Sequence, residues 1–360
     1  MSSHDRIGAR LYLYCSSKAA RELFWRSAIL IGAASILLSL FSSLARSEAE
    51  LKKVRAAYAG PGGGFAITWI AKEARLFSKY GLDAELIRIP TTPRLVQAVI
   101  GGDVQFAHTG GVSTVTAIAR GAELAVLAQT SRGYSGHMVV RPALNSLQEL
   151  KGKNVGITQY GSTGDLFLRE GLRRWNLKPD KDVAILQIGG TAEIFSALVA
   201  GRLDGAVLST ELALRARKAG FKILFDFSAL DIREMGTSLI ANRSFIAKDE
   251  DAAAKNFLKA FVEAIYLYKT NKDLSLKVLQ KYTRNDDLEL LAAVREAYTK
   301  GMDPIPYPRE EDLMGSLNRL KSESSEMEKR ISRLSVQDFL ETKYLRELER
   351  SGFIRSLYKS

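Results

Sequence analysis

From Leu51 onward, short aliphatic or β-branched runs alternate with longer stretches of helical period. This rhythm predicts strands and helices in succession, and hence an α/β fold with a largely parallel sheet. Residues 54–58 read as a first strand, and Gly-Pro-Gly-Gly-Gly at 60–64 as the turn after it. Ala66, Ile67, Ile70, Ala71, Ala74 and Phe77 then recur at helical spacing up to Gly81. Residues 84–89 make a second strand, 94–100 a helix closed by Gly101-Gly102, and 104–108 a third strand. After a turn at 109–113 and another helix, 123–130 supplies a further strand.

The pattern then starts again. Residues 154–158 form a strand, 160–164 a turn and 165–175 a helix; 183–188, 192–200 and 203–208 follow as strand, helix and strand, with a turn at 209–211. Residues 89–107 lie over 188–206 without a gap, and Ile89/Ile188, Thr92/Thr191, Ala98/Ala197, Gly102/Gly201 and Ala107/Ala206 are identical. Between them Leu95/Ile194, Val96/Phe195, Val99/Leu198, Ile100/Val199 and Val104/Leu203 keep apolar character. A duplicated unit predicts two similar lobes with a cleft between them.

Two extended segments, 137–142 and 237–242, read as crossings between the lobes, and two crossings make a hinge. The expected organisation is a first lobe from 50–138 and 240–320, a second lobe at 139–239, and a helical tail at 321–360 packing on a lobe. A long helix at 251–271 is expected to pack back on the first lobe. In the tail Leu340, Tyr344 and Leu348 form one stripe, a pattern of intramolecular packing, with partner binding as the alternative.

The first 49 residues read as an export signal. Arg21 and Arg26 precede an uncharged run at 27–45, and Ser47-Glu48-Ala49 offers small residues for cleavage; a retained membrane anchor is the competing reading. The formal charge of the chain is +12, and it falls to +9 without that segment, which holds six Lys/Arg and three Asp/Glu. The only cysteine, Cys15, lies inside the segment, so the remainder can form no disulfide, thiolate metal site or cysteine nucleophile. The basic balance contains no run of five or six cations and no recognition motif, so nucleic acid is not an expected partner.

At this point the order of motifs resembles the solute-binding proteins of ABC importers in the nitrate, sulfonate, taurine and thiamine-pyrimidine-precursor superfamily (SsuA/THI5-like, NMT1-like). The likeness is carried by residues 60–68, Ala-Lys-Glu-Ala-Arg-Leu-Phe-Ser-Lys-Tyr-Gly-Leu at 71–82, Gly-Gly-Asp-Val at 101–104, Leu-Gln-Glu-Leu-Lys-Gly-Lys-Asn-Val-Gly at 147–156, and Ala-Gly-Arg-Leu-Asp-Gly-Ala at 200–206. It covers about residues 52–320. The resemblance implies a bilobed type II periplasmic-binding-protein fold with a two-strand hinge. It also implies a monomer that closes on a small solute and passes it to an inner-membrane permease. It does not fix the solute.

Turns that precede helices present unpaired backbone N–H groups at the positive end of a helix dipole, so they suit an anion or a cluster of polar oxygens. Gly62, Gly63 and Gly64, then Thr109, Gly110, Gly111 and Ser113, then Gly161, Ser162 and Thr163, and finally Gly190 and Thr191 all follow expected strands, with Ser209 and Glu211 in the matching last turn. All belong at the carboxyl edges where open α/β sheets bind ligands. Phe65, Trp69, Tyr134 and Tyr160 are candidate apolar walls, and Arg132 can pair with a carboxylate or sulfonate. His108 ends a strand near the same rim. No catalytic, metal or cofactor motif is complete: residues 60–64 lack both the third Gly of a dinucleotide fingerprint and the Lys-Ser/Thr of a P-loop. The expectation is a binding protein that needs no cofactor or metal. A pyrimidine-precursor synthase-like enzyme or a sensor for a membrane partner are the alternatives.

Overall fold

A computed structural model describes residues 50–248 and 252–359; the expected export signal lies outside the described residues. The first half runs β1 (Lys52–Tyr58), α1 (Ala66–Glu73), α2 (Leu76–Lys79), β2 (Leu82–Arg88), α3 (Thr92–Ile100), β3 (Phe106–Gly110), α4 (Gly111–Ala119) and β4 (Leu124–Gln129). The second runs β5 (Gly136–Val140), β6 (Asn154–Ile157), α5 (Thr163–Arg174), β7 (Ala184–Gln187), α6 (Thr191–Val199), β8 (Gly205–Ser209), α7 (Thr210–Lys218) and β9 (Lys222–Asp226). The chain then returns through β10 (Thr237–Asn242), α8 (Arg243–Ala247), α9 (Ala253–Thr270), α10 (Lys272–Thr283) and α11 (Leu288–Lys300). It ends with α12 (Glu310–Lys321), α13 (Ser325–Ile331), α14 (Lys343–Arg350) and α15 (Phe353–Leu357).

The duplication seen in the sequence is a duplication of topology. One sheet has the order β2-β1-β3-β10-β4 and the other β7-β6-β8-β5-β9, so each strand of one has a counterpart in the other. In each, the first three strands pair in parallel, while the fourth, β10 or β5, runs antiparallel to both its neighbours. That fourth strand is the one each sheet receives directly after the chain crosses over. By sheet membership the crossings are residues 130–135 and 231–236, so 136–138 pair within the second sheet and 237–239 within the first.

Period-two alternation divides each strand between two cores. Ala56, Leu127, Leu239 and Ala241 join the cluster with α9, whereas Ala57, Val126 and Ile240 join the cluster on the opposite face with Val115, Leu313 and Leu317. The second sheet does the same: Met138, Val155 and Val207 face Phe167, and Val139, Ala206 and Leu208 face Leu198. The paired helices α3 and α6 both end at a glycine with positive φ, Gly102 at 79° and Gly201 at 73°, a conformation that costs glycine little.

The tail packs on the first lobe from both sides. Phe339 and Leu340 enter one core cluster and Tyr344, Leu345 and Leu348 the other. Between them the chain covers the outer edge of β4: the Val126 N–H donates to the Phe339 carbonyl at 2.9 Å, and the Glu341 N–H to the Val126 carbonyl at 2.9 Å. An otherwise open edge strand is thereby paired.

Candidate functional site

The two crossings lie side by side. Arg132 and Met235 form an antiparallel bridge, the Thr130 N–H donates to the Thr237 carbonyl at 2.8 Å, and the Thr237 N–H donates to Ser131 Oγ at 2.9 Å. Beyond this two-strand hinge, the carboxyl edges of the sheets face one another across a cavity of about 310 Å³.

The cavity wall is built from the starts of helices. Gly62, Gly64 and Phe65 precede α1, Gly110 precedes α4, and Ser162 and Thr163 open α5. Thr191 begins α6 and Ser209 precedes α7. Of these starts only α5 is capped by a side chain, Ser162 Oγ accepting from the Asp165 N–H at 3.3 Å. At α4, α6 and α7 the N-cap residue, Gly110, Gly190 or Ser209, makes no side-chain capping bond. Glycine at the N-cap of α4 and α6 costs only a few tenths of a kcal/mol relative to a side-chain cap, and it keeps these helix starts free of a capping side chain. Two hydroxyls of the wall, Thr163 Oγ1 and Ser209 Oγ, are buried without a hydrogen-bond partner. An orphaned buried hydroxyl costs about 1–3 kcal/mol, and a polar solute relieves that cost.

Charge in the wall is sparse. Arg132, beside the hinge, is the only ionised residue among the described lining groups, and it joins no ion pair among the described residues. Among the described residues, no Asp or Glu lines the cavity. Phe65, Tyr134, Tyr298 and Met302 give it apolar faces. Phe65 is held edge-on by the ring of His108, 5.3 Å between centroids. His108 itself is buried between the hydroxyls of Thr68, 3.0 Å from Nδ1, and Thr130, 3.1 Å from Nε2. Thr130 Oγ1 donates to the Thr237 carbonyl at 3.2 Å, which leaves it to accept from Nε2–H and Nδ1 to accept from Thr68. Burial pushes the His108 pKa down to about 3, so the ring is a neutral spacer that ties Phe65 to the hinge.

The structure brings ten of the expected site residues to this cavity: Gly62, Gly64, Phe65, Gly110, Arg132, Tyr134, Ser162, Thr163, Thr191 and Ser209. The others lie elsewhere. Trp69 is fully buried in the first lobe, stacked on Tyr282 at 4.8 Å, because α10 closes over that face of α1. Tyr160 is 50% exposed; its hydroxyl donates to the Ile185 carbonyl at 2.8 Å and its ring lies under Arg169, so it turns away from the cavity. Gly63 is packed beneath Val294 and Tyr298, and Gly111 against Met235 and Gly236. Thr109 is buried in β3, and its hydroxyl has no partner. Gly190 and Gly161 serve contacts between the lobes: Gly190 sits near Pro90, and the Gly161 carbonyl accepts from Ser113 Oγ at 2.9 Å. Glu211 is buried behind the cavity rather than in its wall.

Sequence reasoning missed Tyr298, Met302, Thr130 and Thr237. The two threonines were legible only as parts of strands, while Tyr298 lies in the last turn of α11 and Met302 just past its glycine C-cap, Gly301, far in sequence from the turns that form the rest of the wall. Among the described residues, no cluster of three or more His, Cys, Asp or Glu is placed to hold a metal ion, and no helix is long and apolar enough to cross a membrane.

Two α/β lobes of equal topology, joined by a two-strand hinge and enclosing a cavity at their strand ends, define the type II periplasmic-binding-protein fold. The NMT1/THI5 like family model matches residues 64–271, and the chain belongs to that family. The alkanesulfonate-binding protein SsuA of Xanthomonas axonopodis pv. citri, solved bound to MOPS, superposes with a TM-score of 0.63 at 19% identity, over 76% of this chain and 93% of that one. The nitrate-binding protein NrtA of Synechocystis PCC 6803 gives 0.64 at 13% identity, over 84% and 89%. A structure from Bordetella bronchiseptica RB50 gives 0.70 at 18% identity, over 86% and 99%. A Brucella abortus (strain 2308) protein carrying a provisional binding-protein name is 31% identical over 128 residues, which is 35% of this chain and 39% of that relative.

Proposed function

We propose that the protein is the solute-capturing receptor of an ABC importer, exported to the periplasm, and that it closes on a small monoanionic organic solute. The observation that carries this reading is the composition of the interlobe cavity. It has one unpaired cation, Arg132, two orphaned hydroxyls, Thr163 Oγ1 and Ser209 Oγ, three helix starts whose N-cap residue makes no side-chain bond and, among the described residues, no carboxylate. Each element favours a negative head group, and the absence of a carboxylate from the wall disfavours an ammonium. The volume, about 310 Å³, lies at the lower end of the range for small organic ligands, and Phe65, Tyr134, Tyr298 and Met302 suit a compact apolar or aromatic body.

In this reading Arg132 and the starts of α4, α6 and α7 hold the head group, Thr163, Thr191 and Ser209 add hydroxyl contacts, and the two lobes move as bodies about the paired crossings. The solute then passes to a membrane permease.

Melting curves against a panel of monoanionic carboxylates and sulfonates, with neutral and cationic solutes as controls, test the reading. A bound solute raises stability by RT ln(1 + [L]/Kd), about 2.7 kcal/mol at a hundredfold excess over Kd. Monoanions are expected to raise the melting temperature with concentration. Shifts from cations alone, or from none of the panel, would overturn the assignment.

A further inference from the structure

We infer that solute capture takes up a proton, carried by Glu211, which acts as the positioning residue that seats the second lobe on the first. This rests on the receptor reading above and concerns how that site is regulated. Three consecutive residues at the start of α7 divide the work. Ser209 lines the cavity, and Thr210 faces the hydroxyl of Tyr298, which also lines the cavity. Glu211, 1% exposed, enters the first lobe beside Thr283 at the end of α10. The same seam is closed on its outer side by Lys218, paired with Asp287 and lying 3.7 Å from Glu289.

A carboxylate in that position is poorly served. Glu211 Oε2 is buried without a hydrogen-bond partner. The groups that face it are few. Arg215, one turn along α7, and the Thr283 hydroxyl favour the charged form. Tyr298 of α11 and Tyr268 of α9 are each disturbed by its charge, and the Tyr268 hydroxyl is already committed to the Gly63 carbonyl at 3.1 Å. Arg295 of α11, which acts on Tyr268, donates instead to the Lys269 carbonyl at 2.6 Å. From β5, His137 reaches Thr210 at 3.2 Å and is itself held toward the neutral form by burial.

Burial outweighs Arg215 and Thr283 and pushes the Glu211 pKa up to about 8 from its ordinary value of 4.5. With the lobes apart, the first turn of α7 is in water and the group returns to its ordinary value. The closed form therefore holds a proton that the open form releases, at every pH between those two values. Closure is favoured as pH falls through that window, by up to tenfold in the closed-to-open ratio per pH unit. It is independent of this group above about 8 and below 4.5.

The test uses the full chain with Cys15→Ser, which removes the only cysteine. Dyes are then placed at the exposed positions Asp103→Cys in the first lobe and Lys181→Cys in the second, and the interlobe distance is read by single-molecule energy transfer without solute. The closed-to-open ratio is expected to rise steadily from pH 8 to pH 5 in this protein. In Glu211→Gln, which mimics the protonated side chain, it is expected to stay flat and high. A flat ratio in the unaltered seam overturns the inference. So does an equal slope in Glu211→Gln, which would assign the proton uptake to another group; His137, held neutral by burial, would give a slope of the opposite sign. Because no solute is present, these outcomes bear on the clasp alone. Failure of every monoanion to shift the ratio at fixed pH counts against the receptor reading alone.

Discussion

A methyl group added at Gly110 provides a direct probe of lobe closure. Gly110 precedes α4 in the first lobe, and a Cβ there would stand 2.7 Å from Thr163 Oγ1 of the second lobe and 3.4 Å from Thr92 Cγ2 of the first. The first distance is far inside contact range and exists only when the lobes are together. Overpacking of this kind costs about 1–3 kcal/mol. At 1.4 kcal/mol per factor of ten, Gly110→Ala is expected to raise the solute Kd by about five- to 150-fold. Alanine is also a poorer residue than glycine at a helix start, by up to about 1 kcal/mol, but that penalty falls on open and closed forms alike and so affects the melting temperature rather than Kd. Isothermal titration with the tightest monoanion of the panel separates the two. In a double-mutant cycle with Thr163→Ala, removing the opposing oxygen should recover part of the loss, a coupling of about 0.5–3 kcal/mol. An unchanged Kd in Gly110→Ala together with zero coupling to Thr163 would refute closure at this contact.

Arg132→Gln, which removes the one cation of the cavity wall, is expected to weaken monoanion binding by about 1.5–3 kcal/mol, roughly ten- to 150-fold, while solute-free stability holds; titration calorimetry and melting curves check the two halves. His108 has a folded-state pKa depressed to about 3, so the unfolded chain takes up the proton first as pH falls below 6.5. This group should remove about 2 kcal/mol of stability between pH 7.5 and pH 5, and urea unfolding of His108→Asn should lack that increment of pH dependence. Leu348→Ala, in the fully buried stripe of α14, is expected to cost about 2–5 kcal/mol in urea unfolding, as a core residue would; a value near zero would show that the tail is dispensable.

Much of the architecture was legible because the chain states it twice. The match of residues 89–107 with 188–206 returns as α3 leading into β3 and α6 leading into β8, at equivalent places in two sheets, and the segment at 237–242 is β10. Glycine, serine and threonine before helices pointed to the cavity rim for the same reason: a turn at a strand end is a local event, written in consecutive residues. What escaped was set by contacts distant in sequence. Trp69 looks like a rim residue until Tyr282, more than two hundred residues later, stacks on it. Tyr160 follows its strand as expected, but its hydroxyl finds the Ile185 carbonyl and the ring is drawn outward. Tyr298 reaches the cavity only because α11 packs against both Gly63 and the start of α7, a placement no local pattern encodes.

Mass spectrometry of the small molecule retained after gentle purification identifies the solute itself. A compact organic acid bearing one negative charge is expected, held by the unaltered protein and lost from Arg132→Gln. Recovery of a cationic or polyanionic molecule, or of the same acid equally from both proteins, would contradict that expectation.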